Sequence, residues 1–197
     1  LLGLWLSWLQ PVDLSAQKMK ASEYVSRFQS YAVEEMKRSG VPAAITLAQG
    51  LLETESGNGA LYKKSRNHFG IKCKNDWTGA VIDHDDDAPG ECFRVYETDS
   101  ASFSDHSNFL RSRPHYASLF ELDPLDYKAW AYGLKKAGYA TNPKYPAMLI
   151  RFIEQFDLQQ YSLSALSDSI PTVGHLGNQD SAVKKTGVGD STQSAVL

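Results

Sequence analysis

The sequence predicts an α+β protein that is mostly helical and carries one small β-hairpin lobe. Apolar residues recur at helical spacing in several segments between residues 22 and 156. Between Ile71 and Tyr96 the pattern changes to short strand-like runs separated by turn residues. The 197 residues, of which 42% are hydrophobic, are enough for one hydrophobic core of ordinary size.

The first two helices are predicted from apolar spacing and from residues that commonly start helices. Residues 22–38 form an amphipathic pattern that Ser22 can cap. Residues 42–53 begin at a first-turn proline, Pro42, and continue with apolar residues at helical spacing. This helix ends at Glu53, where the helix dipole and apolar neighbours are expected to raise the carboxyl pKa. Such a glutamate suits general acid catalysis at neutral pH, and a solvated last-turn residue is the alternative.

The β lobe is predicted to follow a loop, residues 57–70, that contains one short helical turn. The predicted strands are 71–73, 80–82 and 92–96. The two cysteines of the chain, Cys73 and Cys92, flank this lobe. In an exported protein an even number of cysteines indicates a disulfide, and a bond across the base of the hairpin is geometrically plausible. Two reduced core cysteines are the alternative.

Helices are predicted again after the hairpin. They are 101–111 with Ser100 as its cap, a helix from Asp123-Pro124 to about Lys136, and one that begins at Tyr145-Pro146. Beyond Tyr161 aromatic residues disappear and small polar residues dominate, so residues 162–197 are predicted to be a disordered tail or linker.

At the other end, residues 1–16 combine a short apolar run with small residues before Gln17. We interpret them as the remnant of a secretory signal peptide cleaved after Ala16, with a buried N-terminal helix as the alternative. This assignment leaves 20–160 as the folded domain.

Composition excludes several classes of function. The net charge of −3 and a pI of about 6.0 give no indication of a nucleic-acid partner. The N-terminal apolar run is too short to cross a bilayer, so no membrane span is expected in the mature protein. The histidines lack zinc-site spacing, and Ser56 lacks the context of a serine hydrolase nucleophile. We therefore expect neither a catalytic metal nor a cofactor.

Five motifs occur in an order and spacing that match a known family. They are Ile45–Glu53, Asn67–Cys73, Trp77–Gly79, Glu91–Tyr96 and Ala137–Thr141. On these motifs, residues 20 to 158 resemble the bacterial glucosaminidase family (glycoside hydrolase family 73, lysozyme-like superfamily), which includes flagellar-type peptidoglycan hydrolase domains. The resemblance implies a lysozyme-like fold and an endo-β-N-acetylglucosaminidase that cleaves the β-1,4 bond after N-acetylglucosamine.

The resemblance makes Glu53 the catalytic acid. The family usually reads Glu-Ser-Gly-x-Gly, whereas this chain reads Glu53-Thr54-Glu55-Ser56-Gly57, so Glu55 replaces a turn glycine and Glu55-Ser56-Gly57 matches part of the motif. Glycosidases normally need a second carboxylate unless the substrate acetamido group substitutes for it. The candidates in the hairpin are Asp83, Asp85, Asp86, Asp87 and Glu91. Strand alternation places Asp83, Asp85 and Asp87 on one face, and of these Asp85 or Asp87 is favoured. A solvated acidic turn is the alternative, and a calcium loop is a weaker one because the ligand spacing does not alternate.

Further site residues are implied by the same resemblance. Tyr139 matches a cleft tyrosine that can hold an acetamido group or orient water, and a core tyrosine is the alternative. The predicted substrate contacts are Asn67, His68 and Phe69 in the turn and Trp77 and Tyr145 as stacking rings. In the alternative interpretation, Asn67 hydrogen-bonds to the backbone of its turn and makes no substrate contact. In the same interpretation, Trp77 and Tyr145 are core residues.

The sequence thus predicts an exported, monomeric peptidoglycan hydrolase that acts on glycan strands in the periplasm or outside the cell, associated with the wall. A muramidase or lytic transglycosylase of the same superfamily is one alternative. A wall-binding module without activity is the other.

Overall fold

The computed structural model of the chain describes residues 18–74, 77–86 and 88–167. The predicted signal peptide, Asp87 and residues 168–197 of the predicted tail lie outside the described residues. The elements in chain order are α1 (Ala21–Ser39), α2 (Ala43–Glu53), α3 (Ala60–Ser65), β1 (Val81–His84), β2 (Glu91–Arg94), α4 (Asp99–Ser112), a 3₁₀ helix (Pro114–Glu121), α5 (Tyr127–Lys136), α6 (Tyr145–Gln155) and α7 (Gln159–Ser167).

Helix α2 is the central element of the core. Every residue from Ala43 to Leu51 is buried, and α1, α5, α6 and α7 all pack against this helix. Helix α1 supplies Tyr24 and Phe28 from its apolar face. It ends at Gly40, whose φ of 81° is the left-handed conformation in which glycine commonly terminates helices. A helix buried on all sides is held rigidly, and its last residue, Glu53, is positioned accordingly.

The first turn of α2 is hydrogen-bonded to α7, which lies more than a hundred residues further along the chain. Pro42 gives no side-chain cap, and the backbone N–H of Ala44 donates instead to the Ser162 hydroxyl at 3.0 Å. Ser162 and Ala165 are both buried in α7. The predicted boundary of the tail at 162 is therefore too early, because the last helix continues to Ser167.

The β lobe is a two-stranded antiparallel sheet with Val81 opposite Arg94 and His84 opposite Glu91. The predicted strand 71–73 is reduced to one isolated bridge between Lys72 and Phe93. The predicted disulfide is confirmed: Cys73 and Cys92 are bonded, with their Cα atoms 5.4 Å apart. It joins the hairpin to the segment that leaves the core.

The helices after the hairpin differ from prediction mainly at their starts. Helix α4 is capped by Thr98 rather than Ser100, because the Thr98 hydroxyl accepts from Ala101 N–H at 3.1 Å. Asp126 caps α5, so that helix begins after the Asp123-Pro124 turn. The 3₁₀ helix Pro114–Glu121 was not predicted. The prediction of a mostly α domain with a small hairpin lobe is confirmed. Over the described residues, no helix combines the length and the apolar character needed to cross a bilayer.

Candidate active site

A cleft of about 410 Å³, here named the Glu53 cleft, opens at the C-terminal end of α2. Three other parts of the chain complete it: the turn at Phe69-Gly70, the hairpin and the segment before and within the first turn of α6. The residues that line it are Leu52, Glu53, Glu55, Phe69, Gly70, Lys72, Asp86, Gly138, Tyr139, Ala140, Thr141, Asn142, Tyr145 and Met148.

The chain turns sharply directly after Glu53. Glu55 and Ser56 have φ values of 51° and 58°, left-handed conformations that are uncommon for residues other than glycine. Thr54 holds this turn, since its hydroxyl donates to the Gly50 carbonyl at 2.6 Å and accepts from Gly57 N–H at 2.8 Å. The turn leaves Glu53 at the end of the helix and brings Glu55 to the edge of the same cleft.

Glu53 is an exposed residue that lines the cleft, and the protein around its carboxyl removes part of the hydration of that group. Its pKa is raised to about 7, first by loss of hydration and second by the negative charge of Asp86. A hydrogen bond with Tyr145 opposes the increase. Water in the cleft screens part of these interactions. The raised pKa keeps a large fraction of the Glu53 carboxyl protonated near neutral pH, as a general acid requires.

Tyr145 connects Glu53 to the core. Its hydroxyl accepts from Gln49 Nε2 at 2.9 Å and is hydrogen-bonded to the Glu53 carboxyl. Burial raises the pKa of Tyr145 well above its ordinary value, so the phenol stays protonated and donates to Glu53. The ring is buried and stacks on Tyr139 at 5.8 Å between centroids. Tyr145 therefore positions the Glu53 carboxyl, and Gln49 in turn positions the Tyr145 hydroxyl. Gln49 was not among the residues predicted from the sequence.

Tyr139 lies on the wall of the cleft as the sequence predicted. Its hydroxyl donates to the Phe69 carbonyl at 3.3 Å. Burial raises the pKa of Tyr139 well above its ordinary value, with Tyr145 and Glu53 adding to the increase, so the hydroxyl is neutral. Phe69 lines the cleft beside it.

Of the hairpin aspartates that the structure describes, Asp86 lines the cleft and Asp85 does not. Strand β1 ends at His84, so Asp85 lies outside the strand on which the predicted alternation relied. The Asp85 carboxylate accepts from Gly90 N–H at 2.7 Å and closes the turn. Asp87 is outside the described residues. Lys72 Nζ lies 3.9 Å from the Asp86 carboxylate and 2.7 Å from that of Glu91, and so holds the hairpin acids toward the cleft.

The Asn67 side chain shapes the turn. Its amide nitrogen donates to the carbonyls of Ile71 and Arg94 at 2.9 and 3.0 Å. Its oxygen accepts from the N–H groups of Ile71 and Phe69 at 3.0 and 3.3 Å. These four hydrogen bonds occupy the amide, and Asn67 is buried, which argues against direct contact with substrate.

His68 is buried in the same way. Its Nδ1 lies 2.6 Å from the Tyr24 hydroxyl and its Nε2 lies 3.0 Å from Asp99 Oδ1. Burial lowers the pKa of His68, and the hydrogen bond that Asp99 accepts opposes this, so the ring is neutral at neutral pH. The tautomer that fits donates from Nε2 to Asp99 and accepts from Tyr24. His68 thus ties α1 and α4 to the turn and does not line the cleft.

Trp77 lies on a different surface. It lines a cavity of about 530 Å³ with Val95, Tyr96 and neighbouring residues, none of which borders the Glu53 cleft. Its indole N–H donates to the Ala80 carbonyl at 3.0 Å, and the Arg94 guanidinium lies 4.8 Å from its ring centroid. The structure therefore separates Trp77 from the other predicted sugar contacts. Within the described residues, no group of His, Cys, Asp and Glu side chains is arranged to hold a metal ion.

Comparison with known proteins agrees with this geometry. The family model described as mannosyl-glycoprotein endo-beta-N-acetylglucosaminidase matches residues 29–158. The chain is 27% identical over 164 residues, 77% of its length, to the exo-glucosaminidase LytG of Bacillus subtilis. It is 34% identical over 131 residues, 60% of its length, to the peptidoglycan hydrolase FlgJ of Escherichia coli K12. These matches span 58% and 41% of the two relatives, so the chain corresponds to about half the length of such proteins.

A solved structure gives the same result for the fold. The peptidoglycan hydrolase of Sphingomonas sp. A1 superimposes with a TM-score of 0.62 at 30% identity, covering 79% of this chain and 99% of that one. The matched region contains Glu53, Asp86, Tyr139 and Tyr145, four of the residues that line the cleft. The chain therefore belongs to the glucosaminidase family of glycoside hydrolases.

Proposed function

We propose that the chain is an exported, monomeric peptidoglycan hydrolase that cleaves the β-1,4 bond after N-acetylglucosamine in the glycan strands of the wall. The observation that carries the proposal is Glu53, a carboxyl with a raised pKa at the end of a buried helix, open to a cleft that also contains a carboxylate from the hairpin. The names of the relatives, an exo-glucosaminidase and peptidoglycan hydrolases, support the substrate class.

The chemistry follows from which groups are protonated. Glu53 donates its proton to the glycosidic oxygen as the bond to the leaving sugar breaks. The developing positive charge on the sugar requires a second group on the other side of the cleft. We assign this role to the Asp86 carboxylate, either by activating water or by stabilising attack by the substrate acetamido group. Tyr139, with its neutral hydroxyl on the cleft wall, is placed to orient that acetamido group or the water.

Export is supported by two features. The Cys73–Cys92 disulfide is typical of oxidising compartments. The substrate proposed here also lies outside the cytoplasm. We therefore place the protein in the periplasm or outside the cell, associated with the wall.

The test is an analysis of products. Purified peptidoglycan is digested, the new reducing ends are reduced with borohydride, and the fragments are identified by mass spectrometry. We expect reduced N-acetylglucosamine. Reduced muramic acid would make the chain a muramidase, and a 1,6-anhydro product would make it a lytic transglycosylase. Binding to the wall without any product would leave a wall-binding module.

A further inference from the structure

A second cavity, of about 260 Å³, adjoins the Glu53 cleft, and we name it the side pocket. The residues that line both are Phe69, Gly70, Lys72, Gly138 and Tyr139. The two cavities are thus separated only by a shared ridge. A glycan strand bound in the cleft can place a branch in the side pocket without leaving the protein surface.

The side pocket has an apolar floor and a positively charged rim. Phe109, Tyr116 and Tyr139 form the floor, and Lys72 and Lys74 contribute the cations. No Asp or Glu side chain among the described residues lines it. Lys72 is partly neutralised by Glu91, 2.7 Å away, whereas the Lys74 side chain is exposed to solvent.

A further cation lies beside Phe109. The Arg113 guanidinium is 3.8 Å from the centroid of the Phe109 ring, so it adds positive potential near the floor of the side pocket. A pocket of this kind favours a small group that is apolar at one end and anionic at the other.

The substrate class contains such a group. In peptidoglycan, muramic acid alternates with N-acetylglucosamine, so both neighbours of a cleaved N-acetylglucosamine are muramic acids. Each muramic acid carries a 3-O-lactyl branch. That branch ends in a carboxylate or, where a stem peptide is attached, continues to the carboxylates of the peptide. A lactyl branch therefore flanks the cleavage point on both sides, whichever direction the strand takes through the cleft.

We propose that the side pocket is a subsite for the 3-O-lactyl branch of muramic acid, with the floor packing against its methyl group and Lys74 pairing with a branch carboxylate. This inference rests on the proposed function and adds selectivity to it. The enzyme discriminates between glycans by the charge on the branch, independently of the sugar that occupies the catalytic position.

The experiment compares three substrates made from one peptidoglycan preparation. They are peptide-bearing strands, strands stripped by an amidase so that the lactyl carboxylate is free, and stripped strands with that carboxylate converted to an amide. The first two carry a branch carboxylate and the third is neutral at the branch. The quantity measured is kcat/KM on each charged substrate divided by kcat/KM on the neutral one.

Three proteins are compared: the unmodified chain, Lys74→Gln and Lys64→Gln. Lys64 is the matched control, an exposed lysine of α3 that lines neither cavity. Loss of one exposed charge pair is expected to lower the ratio about two- to fivefold in Lys74→Gln. Lys64→Gln should keep the ratio of the unmodified chain, and high salt should lower that ratio by screening the pair.

Each outcome decides the inference. A fall confined to peptide-bearing strands identifies a stem carboxylate, a fall confined to stripped strands identifies the lactyl carboxylate, and a fall in both means that the pocket accepts either. An unchanged ratio for both substrates in Lys74→Gln overturns the subsite while leaving the proposed hydrolase intact. If the unmodified chain cleaves none of the three substrates, the proposed function fails and the inference fails with it.

Discussion

Glu53 has the properties of a general acid because of contacts that reach it from different elements. Helix α2 ends at this residue, Tyr145 of α6 donates a hydrogen bond to it, and Asp86 of the hairpin repels its ionised form. Burial and Asp86 raise the pKa, while Tyr145 lowers it. The Glu53 pKa near neutrality therefore depends on its own environment and on two neighbours, Tyr145 and Asp86. Replacing either neighbour should shift that pKa in a known direction.

Replacing Glu53 by glutamine should remove hydrolysis and leave the fold intact. The substitution removes the proton donor and changes the volume little. We expect wall lysis to fall about a hundred- to ten-thousand-fold, measured as release of reducing ends. Glu55→Gln is the matched control, because Glu55 lines the same cleft from the adjacent turn. If Glu55→Gln abolishes lysis and Glu53→Gln does not, the acid is Glu55.

Tyr145→Phe should move the alkaline limb of the pH profile upward. The acid is active when protonated, so activity declines as the pH rises through the Glu53 pKa of about 7. The Tyr145 hydrogen bond stabilises the ionised form, so removing the hydroxyl raises that pKa. The measurement is kcat/KM against pH, with Tyr132→Phe, an exposed tyrosine, as control. A limb that moves downward or stays in place contradicts the assignment.

Asp86→Asn should have the opposite effect on pH dependence and should also cost activity. Asp86 raises the Glu53 pKa, so its neutralisation moves the alkaline limb to lower pH. As the proposed second group, its loss should also lower kcat at the pH optimum far more than Asp85→Asn, because Asp85 only closes the turn. Full activity of Asp86→Asn, together with loss in Asp85→Asn or Asp87→Asn, would move the second group to that residue.

At the scale of elements, the hairpin is held to the core by a short covalent link. The Cys73–Cys92 disulfide spans 19 residues and fixes the segment that forms the isolated Lys72–Phe93 bridge against β2. Asp86 and Lys72 depend on this attachment for their position at the cleft. The β lobe is too small to be stable alone, since two strands rarely are.

Reduction of the disulfide should therefore destabilise the hairpin. The loop-closure contribution for a link of this span is about 3 kcal/mol. We expect the paired Cys73→Ser and Cys92→Ser variant to have a lower Tm and reduced kcat, measured by calorimetry and by lysis. Thiol titration of the unfolded protein should find no free thiols before reduction. Two free thiols at that stage would contradict the link.

Sequence patterns predicted the elements well wherever one local signal dominated. Helices α2 and α6 follow from apolar periodicity and a proline at the start. The choice of Asp85 or Asp87 as the second carboxylate stays a prediction, because it relied on strand alternation and β1 ends at His84. The roles of Asn67 and Tyr145 depend on partners far along the chain, such as Arg94 and Gln49, which no local pattern identifies.

Helix α7 was missed for a physical reason of the same kind. It is rich in serine and only weakly amphipathic, so no helical pattern distinguishes it from a linker. Its small buried residues, Ser162 and Ala165, allow close packing against α1 and α2 and contribute through contact rather than through large apolar area. Such a helix is stabilised by its tertiary contacts, which the amino-acid composition of the segment alone does not reveal.

At the scale of the whole molecule, a chain shortened after Tyr161 should be less stable. It loses Ser162, which satisfies the backbone N–H of Ala44, and buried Ala165. An unsatisfied buried donor costs about 1–3 kcal/mol, so the Tm should fall by several degrees. The control is a chain shortened after Ser167, which keeps α7 whole and should melt with the full chain. Equal melting of both shortened chains would show that α7 contributes nothing.

The bond between Ala44 and Ser162 also has a consequence for the order in which the protein acquires its structure. Its two partners are 118 residues apart in sequence. The chain leaves a ribosome or a translocation pore from its N-terminus. The first turn of α2 is therefore available long before Ser162, which accepts the hydrogen bond from Ala44. Local helices can form early, but this long-range closure has to wait. Helix α2 is therefore completed only when almost the whole domain has emerged, and any activity that depends on Glu53 should appear only at that stage.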